Sequence, residues 1–316
     1  MVNLMDKTGK GWENMIYAYP EYYDEFKCIA GECRHSCCIG WEIDIDEETA
    51  EKYRRVEGEL GARMVSCIDW QAAPPHFILG EGERCPFLNG DNLCDIILRL
   101  GEESISRICT DHPRFRTFLS QRGETGLGLC CEEAARIILS REVPFEVLEE
   151  GEGEYDADED TLMDIREAAF DIVNGADTVT EAMERLLELC GAEMPDRTLA
   201  DWARFYLELE RLDGAWTTCL EQLAEADIDE EALLSFMESH GRECRNLLNY
   251  FLFRHFFIAL DDGDIASKAA FAVLSTRMIM ALGLSLGGEI AEWARMYSSE
   301  IEYSDENLDA VFDELC

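Results

Sequence analysis

The stretch Cys28-Ile-Ala-Gly-Glu-Cys33-Arg-His-Ser-Cys37-Cys38 places four thiols within eleven residues. Further cysteines follow in the same part of the chain, among them Cys85, Cys94, Cys109 and Cys131. Thiolates bind Zn²⁺ tetrahedrally and also hold iron–sulfur clusters. We therefore predict that these eight cysteines form a metal site. Cys190, Cys219, Cys244 and Cys316 are scattered through helical pattern, and we treat them as ordinary cysteines.

The spacing of the cysteines along the chain supports a metal site. Three residues separate Cys33 from Cys37, so a single turn of chain presents both sulfurs to one metal. The turn-forming stretch Asn89-Gly90-Asp91-Asn92 favours a tight reversal that brings Cys85 and Cys94 together. Adjacent side chains point apart, so Cys37 and Cys38 serve two different metals, or one of them is structural.

Composition limits the partners. The chain has 316 residues and a net charge of −41, so nucleic acid and anionic membrane surfaces are disfavoured as partners. A lysine-bearing protein would be attracted to such a surface. The alternative explanation of the charge is an acidic proteome, such as that of a salt-adapted organism.

The N-terminal residues lack the apolar core of a signal peptide, and no apolar run approaches the ~18 residues that span a bilayer. We therefore predict a cytoplasmic protein without a membrane span. In a reducing cytosol, cysteines serve as metal ligands or reactive thiols more often than as disulfides.

Hydrophobic periodicity predicts a mainly α protein, in which a loop-rich cysteine module packs on a C-terminal helical bundle. The predicted divisions are a metal-binding module over 1–145, an acidic linker or loop over 146–160 and a helical domain over 161–316. Asp46 is the predicted N-cap of a helix over 47–67. Asp160 or Thr161 is the predicted N-cap of the first helix of the helical domain. The other predicted helices cover 93–100, 102–108, 132–140, 178–189, 198–212, 247–260 (the central buried one), 265–284 and 289–299.

A local basic patch follows Cys109, in the sequence Cys109-Thr-Asp-His-Pro-Arg114-Phe-Arg116, with Arg107 and Arg122 nearby. Arginine forks clamp carboxylates or offset the charge of a thiolate cluster. The alternative is that these arginines pair with the surplus carboxylates around them. His35 and His112 are candidate ligands or acid–base groups, or else structural histidines that are only hydrogen-bonded.

These blocks resemble a known family. The cysteine blocks with Trp41, Arg84-Cys85-Pro-Phe-Leu and Cys109…His112-Pro-Arg114 look like a cysteine-cluster module described as zinc- or iron-chelating. The whole chain resembles the bacterial flagellin lysine-N-methylase family. The further matching blocks are Gly126-Leu-Gly-Leu-Cys-Cys131-Glu-Glu-Ala-Ala-Arg136, Asn249-Tyr-Phe-Leu-Phe-Arg254 and Ser299 to Leu308.

The resemblance implies methyl transfer from S-adenosylmethionine to lysines of flagellin, with a 4Fe-4S cluster or zinc involved. It implies that the family's cysteines are Cys28, Cys33, Cys37, Cys38, Cys85, Cys94, Cys109 and Cys131, whereas Cys130 stands where a small polar residue is more usual. His112 and Arg114 match the block after Cys109 and are the candidates for cofactor binding. Two alternatives to the methyltransferase remain. One is a non-enzymatic metal-binding or protein-interaction module, and the other is a redox or cluster-carrier protein.

Overall fold

A computed structural model describes residues 15–316 of the chain and is mainly helical, which confirms the predicted fold class. The strands are β1 (Ile16–Pro20), β2 (Ile68–Asp69), β3 (His76–Phe77), β4 (Arg114–Phe118), β5 (Arg122–Leu127) and β6 (Val147–Gly151). The helices are α1 (Glu47–Arg54), α2 (Gly58–Cys67), α3 (Asp95–Leu100), α4 (Arg107–Asp111), α5 (Glu132–Leu139), α6 (Ala157–Gly175), α7 (Val179–Cys190), α8 (Leu199–Tyr206), α9 (Gly214–Glu225), α10 (Glu230–Ser239), α11 (Gly241–His255), α12 (Ala259–Asp262), α13 (Ile265–Leu286), α14 (Ile290–Tyr297) and α15 (Asp305–Leu315).

Four of the strands form one sheet in the order β4-β5-β1-β6. Strand β1 pairs in parallel with β5 and antiparallel with β6, and β4 pairs antiparallel with β5. Because β1 ends at Pro20, just before the cysteine stretch, the sheet fixes where that stretch begins. The strands β2 and β3 form a separate two-stranded sheet.

The prediction of a loop over 146–160 is wrong for Val147–Gly151, which forms the edge strand β6. The acidic side chains there are compatible with a strand because the pairing with β1 uses the backbone, and two of them find partners. Glu149 pairs with Arg122, and Glu150 accepts a hydrogen bond from Tyr19 at 2.8 Å. The next helix, α6, begins earlier than predicted, because Asp156 caps it in a reciprocal capping box with Glu159.

Several predicted helices differ from the observed ones at their ends. Asp46 caps α1 as predicted, but the helix predicted over 47–67 is two helices, α1 and α2. Gly58 separates them with a positive φ of 77°, a conformation that glycine adopts at little cost. The helix predicted over 198–212 ends at Tyr206. The central buried helix is confirmed in position, although α11 begins at Gly241 and ends at His255.

Helix α13 is longer than the helix predicted from the sequence over 265–284. Helix α13 has 22 residues and is long and apolar enough to cross a membrane. Its most apolar window is 78% buried, with α11, α14 and α7 packed closely around it. Lys268 and Arg277 interrupt its apolar residues, so it contains no uninterrupted apolar run of ~18 residues. Its burial marks α13 as a core helix.

The described residues form two hydrophobic cores. The smaller core is built from the segment between Ile43 and Ile96, with Tyr53, Phe77 and Phe87 among its fully buried aromatic rings. The larger core contains the helices from α5 onward together with residues of the sheet such as Leu127. The cores therefore divide the chain before residue 145, since α5 packs with the helical part. The boundaries predicted at 145 and 160 stay a prediction about folding units.

A buried ion group ties the sheet to the first long helix. The Glu124 carboxylate in β5 accepts hydrogen bonds from Arg122 at 2.6 Å and from both terminal nitrogens of Arg166 in α6, at 2.7 and 2.6 Å. All three side chains are buried. Burial alone would raise the pKa of Glu124, but the two guanidinium groups outweigh it and hold the pKa below its usual value. The carboxylate therefore stays charged in the core.

We predict that Glu124→Gln lowers the free energy of unfolding by about 3–5 kcal/mol, because it leaves two buried guanidinium groups without their shared counter-charge. Urea unfolding at neutral pH measures the effect. The matched control is Glu51→Gln, which breaks the exposed pair between Glu51 and Arg55 and should cost less than about 1 kcal/mol. Equal costs for the two variants would contradict the assigned role of Glu124.

Candidate metal centre

Four of the eight predicted cysteines converge at the edge of the smaller core, and we call them the inner group: Cys38, Cys85, Cys94 and Cys109. The backbone brings three of them together. The Cys85 amide donates to the Cys38 carbonyl at 2.8 Å, and Cys94 pairs with Leu88 across the predicted turn. Asn89 closes that turn by accepting hydrogen bonds from the amides of Asp91 and Leu93. The prediction that this turn brings Cys85 and Cys94 close is thus confirmed.

The inner thiols are buried but surrounded by hydrogen-bond donors. Burial raises the pKa of Cys85 to about 12, while a backbone hydrogen bond from Phe87 opposes the rise. Burial likewise raises the pKa of Cys109 to about 11, opposed by the Ser106 hydroxyl, which donates to the Cys109 Sγ at 3.2 Å. Mutual repulsion of the thiolates adds to both shifts. A cation among them would reverse this balance and favour the thiolate forms.

The adjacent pair Cys37 and Cys38 shares a side-chain hydrogen bond. That bond raises the pKa of Cys37 and lowers the pKa of Cys38. Ser36 and Arg84 also stabilise the thiolate of Cys38. Cys38 is therefore the thiol of this pair that loses its proton first, and Cys37 stays protonated beside it.

The remaining predicted cysteines form a second, more exposed set, which we call the outer group: Cys28, Cys33, Cys37 and Cys131. Cys131 lies at the start of α5 and packs against the larger core, with Cys28 close enough to raise its pKa. Cys33 approaches the same point, since its pKa is raised to about 11 by burial and then by Glu132 and Cys131. The structure thus brings together all eight predicted ligands in two adjoining groups.

Glu132 anchors the cysteine stretch to α5, and the sequence reading did not single it out. Its carboxylate accepts hydrogen bonds from the Arg34 amide at 2.8 Å, the Arg34 Nε at 2.7 Å and the His35 amide at 3.3 Å. The Cys33 thiol is also within 3.7 Å of it. The sequence offers one indication of this role, because Glu132 directly follows Cys131 at the first position of a helix. Its hydrogen-bond partners could not be predicted, since they lie about a hundred residues away in the chain.

We predict that Glu132→Gln loosens the stretch 28–38, because a neutral amide accepts weaker hydrogen bonds and loses the ion pair with Arg34. Hydrogen exchange of the Arg34 and His35 amides should accelerate severalfold. The control is the neighbouring Glu133→Gln, since Glu133 pairs only with Arg136 on the helix surface among the contacts described. Unchanged exchange in Glu132→Gln would show that the anchor lies elsewhere.

The candidate cofactor-binding residues lie beside the thiol groups. The His112 ring packs against Trp41 with ring centroids 6.3 Å apart, and Trp41 in turn donates to the Cys37 carbonyl at 2.6 Å. The Arg114 guanidinium lies over the rings of Tyr23 and Phe26, at 5.8 and 5.3 Å. Both residues are partly exposed, so each can meet a ligand.

Two arginines of the predicted basic patch instead pair with carboxylates. Arg122 is buried against Glu124 in the sheet, and Arg116 pairs with Asp111 at 2.9 Å. The alternative reading of the patch, pairing with surplus carboxylates, therefore holds for these two. His35 contacts Glu292 at 3.0 Å, which links the cysteine stretch to α14.

Burial and the nearby Arg114 lower the pKa of His112 to about 4. The unfolded chain binds this proton near pH 6.5 and the folded chain only near pH 4, so the contribution of His112 to stability is complete above pH 6.5 and is lost as the pH falls. We predict that the wild type loses more unfolding free energy than His112→Gln between about pH 7 and about pH 5. Urea unfolding at both pH values measures this, and equal losses would contradict a neutral His112 in the folded protein.

A buried polar network connects the outer group with the helical part. Tyr250 in α11 accepts a hydrogen bond from the Leu129 amide at 3.2 Å and donates to Glu302 at 3.1 Å. Glu302 also contacts His255 at 2.6 Å and Arg254 at 3.3 Å. Glu302 ends a short π-helical segment, Ser298–Glu302, of a kind that often marks functional sites. The network thus reaches the backbone two residues before Cys131.

In the described part of the chain, one set of three ligand atoms outside the thiol groups lies close together. The ligand atoms of Glu42, Asp44 and His76 all lie within 4.8 Å of one another. The strand-like pairing of Asp44 with His76 brings these side chains together. The sequence alone does not predict this contact, because the two residues are far apart in the chain. These side chains are partly or fully exposed, and we assign them no role.

Fold and site together define a mainly helical protein with a thiol-rich centre between its two hydrophobic cores. Residues 127–315 match the family described as the FliB lysine N-methylase C-terminal domain. Because this match covers more than half of the chain, the chain belongs to that family, and the resemblance found in the sequence is confirmed.

Two relatives, from Salmonella choleraesuis strain SC-B67 and Salmonella typhimurium strain LT2, are each named lysine-N-methylase. Each is 29% identical to this chain over 135 residues, which covers 38% of this chain and 32% of the relative. The flagellar biosynthetic protein FliU of Salmonella muenchen is 26% identical over 130 residues, covering 38% of this chain and 75% of the relative. This chain thus spans about a third of the length of the two lysine-N-methylases. No solved structure is significantly similar to it.

Proposed function

We propose that this protein is an S-adenosylmethionine-dependent lysine N-methyltransferase that acts on a flagellin-like surface protein. The observation that carries the proposal is the family match over residues 127–315. The names of the Salmonella relatives point to lysine methylation and to the flagellum. The net charge of −41 supports a lysine-bearing protein substrate, because an acidic surface attracts it and speeds the encounter.

We also propose that the inner group holds a metal centre, an iron–sulfur cluster, with a zinc ion as the alternative. Four thiols with hydrogen-bond donors around them fit either centre.

When bound, an iron–sulfur cluster supplies Lewis-acidic iron and one-electron redox capacity. In the transfer itself, the lysine nitrogen forms a bond to the methyl carbon while the sulfonium carbon–sulfur bond breaks, so the donor leaves as the neutral thioether. The lysine must first lose its proton. His112 stays neutral at physiological pH, because burial and the nearby Arg114 lower its pKa to about 4. It is therefore too weak a base to take the lysine proton, which is released to solvent, and its uncharged ring can lie beside the amine without repelling it. Arg114 provides a fork for the donor's carboxylate.

A cytoplasmic location completes the proposal. In a reducing cytosol, clustered cysteines serve as metal ligands or reactive thiols more often than as disulfides. S-adenosylmethionine, the proposed methyl donor, is an intracellular metabolite. The protein substrate would therefore be methylated before it leaves the cell.

We predict that the anaerobically purified protein methylates lysines of purified flagellin when S-adenosylmethionine is added, as measured by mass spectrometry of the flagellin peptides. Cys85→Ser should lower the rate about tenfold or more, since even the loss of groups around metal ligands has effects of this size. The same sample is analysed for iron, acid-labile sulfide and zinc.

The matched control is Cys190→Ser, because Cys190 is a partly buried thiol at the end of α7, outside both thiol groups. It should keep both metal and activity. Metal retention without methylation of any flagellin lysine would favour the alternative, a non-enzymatic module stabilised by its metal. Unchanged methylation in a metal-free Cys85→Ser protein would remove the centre from the proposal.

A further inference from the structure

One buried hydroxyl group in the smaller core has no hydrogen-bond partner. Tyr53, in the last turn of α1, is only 1% exposed, and its ring stacks on Phe77 with centroids 6.3 Å apart. In the part of the chain that the structure describes, its hydroxyl oxygen is buried and makes no hydrogen bond. Leaving such a group unpaired costs free energy, so it points to a partner that the protein atoms do not supply.

The neighbours of this hydroxyl narrow the choice of partner. Burial raises the pKa of Tyr53, and the groups that add to the rise are Cys109, Cys94, Asp46 and Cys85. Asp46 is already engaged, because one of its oxygens accepts from the Thr49 amide at 3.0 Å and the other from the Arg107 amide at 2.9 Å. The other three groups are sulfurs of the inner group, which lies in the same core as Tyr53.

We propose that Tyr53 is a positioning residue for the inner-group centre, and that its hydroxyl donates a hydrogen bond to a sulfur of that centre. The inference rests on the proposed metal centre. It adds a hydrogen-bond donor that neither the sequence motifs nor the family match assigns. It would act together with the Ser106 hydroxyl, which already donates to Cys109. Two hydroxyl donors would withdraw negative charge from the sulfurs of the centre.

This donor has a measurable consequence. A hydrogen bond to a thiolate or sulfide stabilises the more negative, reduced state of an iron–sulfur cluster and so raises its reduction potential. Tyr53→Phe removes only the hydroxyl and leaves the ring in place against Phe77. Because that hydroxyl has no protein partner, its loss breaks no hydrogen bond of the folded chain.

The test compares the midpoint potential of the full-length holoprotein, purified anaerobically, in the wild type and in Tyr53→Phe. We expect equal iron content, a more negative potential in Tyr53→Phe, and loss of one exchangeable-proton coupling from the electron–nuclear double resonance spectrum of the paramagnetic cluster. The control is Tyr206→Phe, which removes a buried hydroxyl that contacts Tyr297 at 3.0 Å in the larger core. Its potential should match the wild type.

The outcomes separate this inference from the proposed function. A wild-type protein without iron overturns both the iron–sulfur centre and the role of Tyr53. Iron with an unchanged potential in Tyr53→Phe overturns the role of Tyr53 alone. If Tyr53→Phe retains no iron, the variant Tyr53→4-aminophenylalanine decides, because it keeps a donor at the end of the ring. Restored iron supports the hydrogen bond, and failure to restore it overturns the inference.

Discussion

The buried carboxylate of Glu124 holds together the parts of the protein that position the thiols. It lies between Arg122 in the same strand and Arg166 in α6, so the centre of the sheet and the first long helix share one counter-charge. Strand β1 pairs with this same strand and leads directly into the cysteine stretch. The β5 strand itself leads into Cys131 and α5. Both ends of the outer group are therefore set by a single ionic contact in the core.

The thiol groups illustrate how a strongly acidic chain uses its few cations. The net charge of −41 makes the approach of several thiolates unfavourable, and burial adds to that cost. The protein compensates locally with amide and hydroxyl donors, with Arg84 near Cys38 and with Arg34 near the outer group. These groups lessen the repulsion but leave most of the thiols protonated at neutral pH, because the pKa values of Cys85 and Cys109 stay raised. A bound cation, as proposed above, would favour the thiolate forms.

Much of this could be predicted from the sequence, and the rest could not for physical reasons. The cap at Asp46, the turn at 89–92 and the buried α11 follow from local chemistry and periodicity, which short segments carry by themselves. The strand β6 was missed, because its acidic composition resembles a loop and its stability comes from pairing with β1. Glu132 and Tyr53 were missed for the same reason. Their importance arises from partners that are distant in sequence, and no local pattern records them.

The division of the cysteines between two groups has a consequence for the order in which the protein is made. The inner group ends at Cys109, so all of its sulfurs leave the ribosome before any residue of β5 does. The outer group needs Cys131, and the sheet that orients it needs β6, which follows later still. Since domains fold as they emerge, the inner group can assemble first. The outer group would then form beside a segment that is already folded, which leaves fewer thiols free to make wrong contacts.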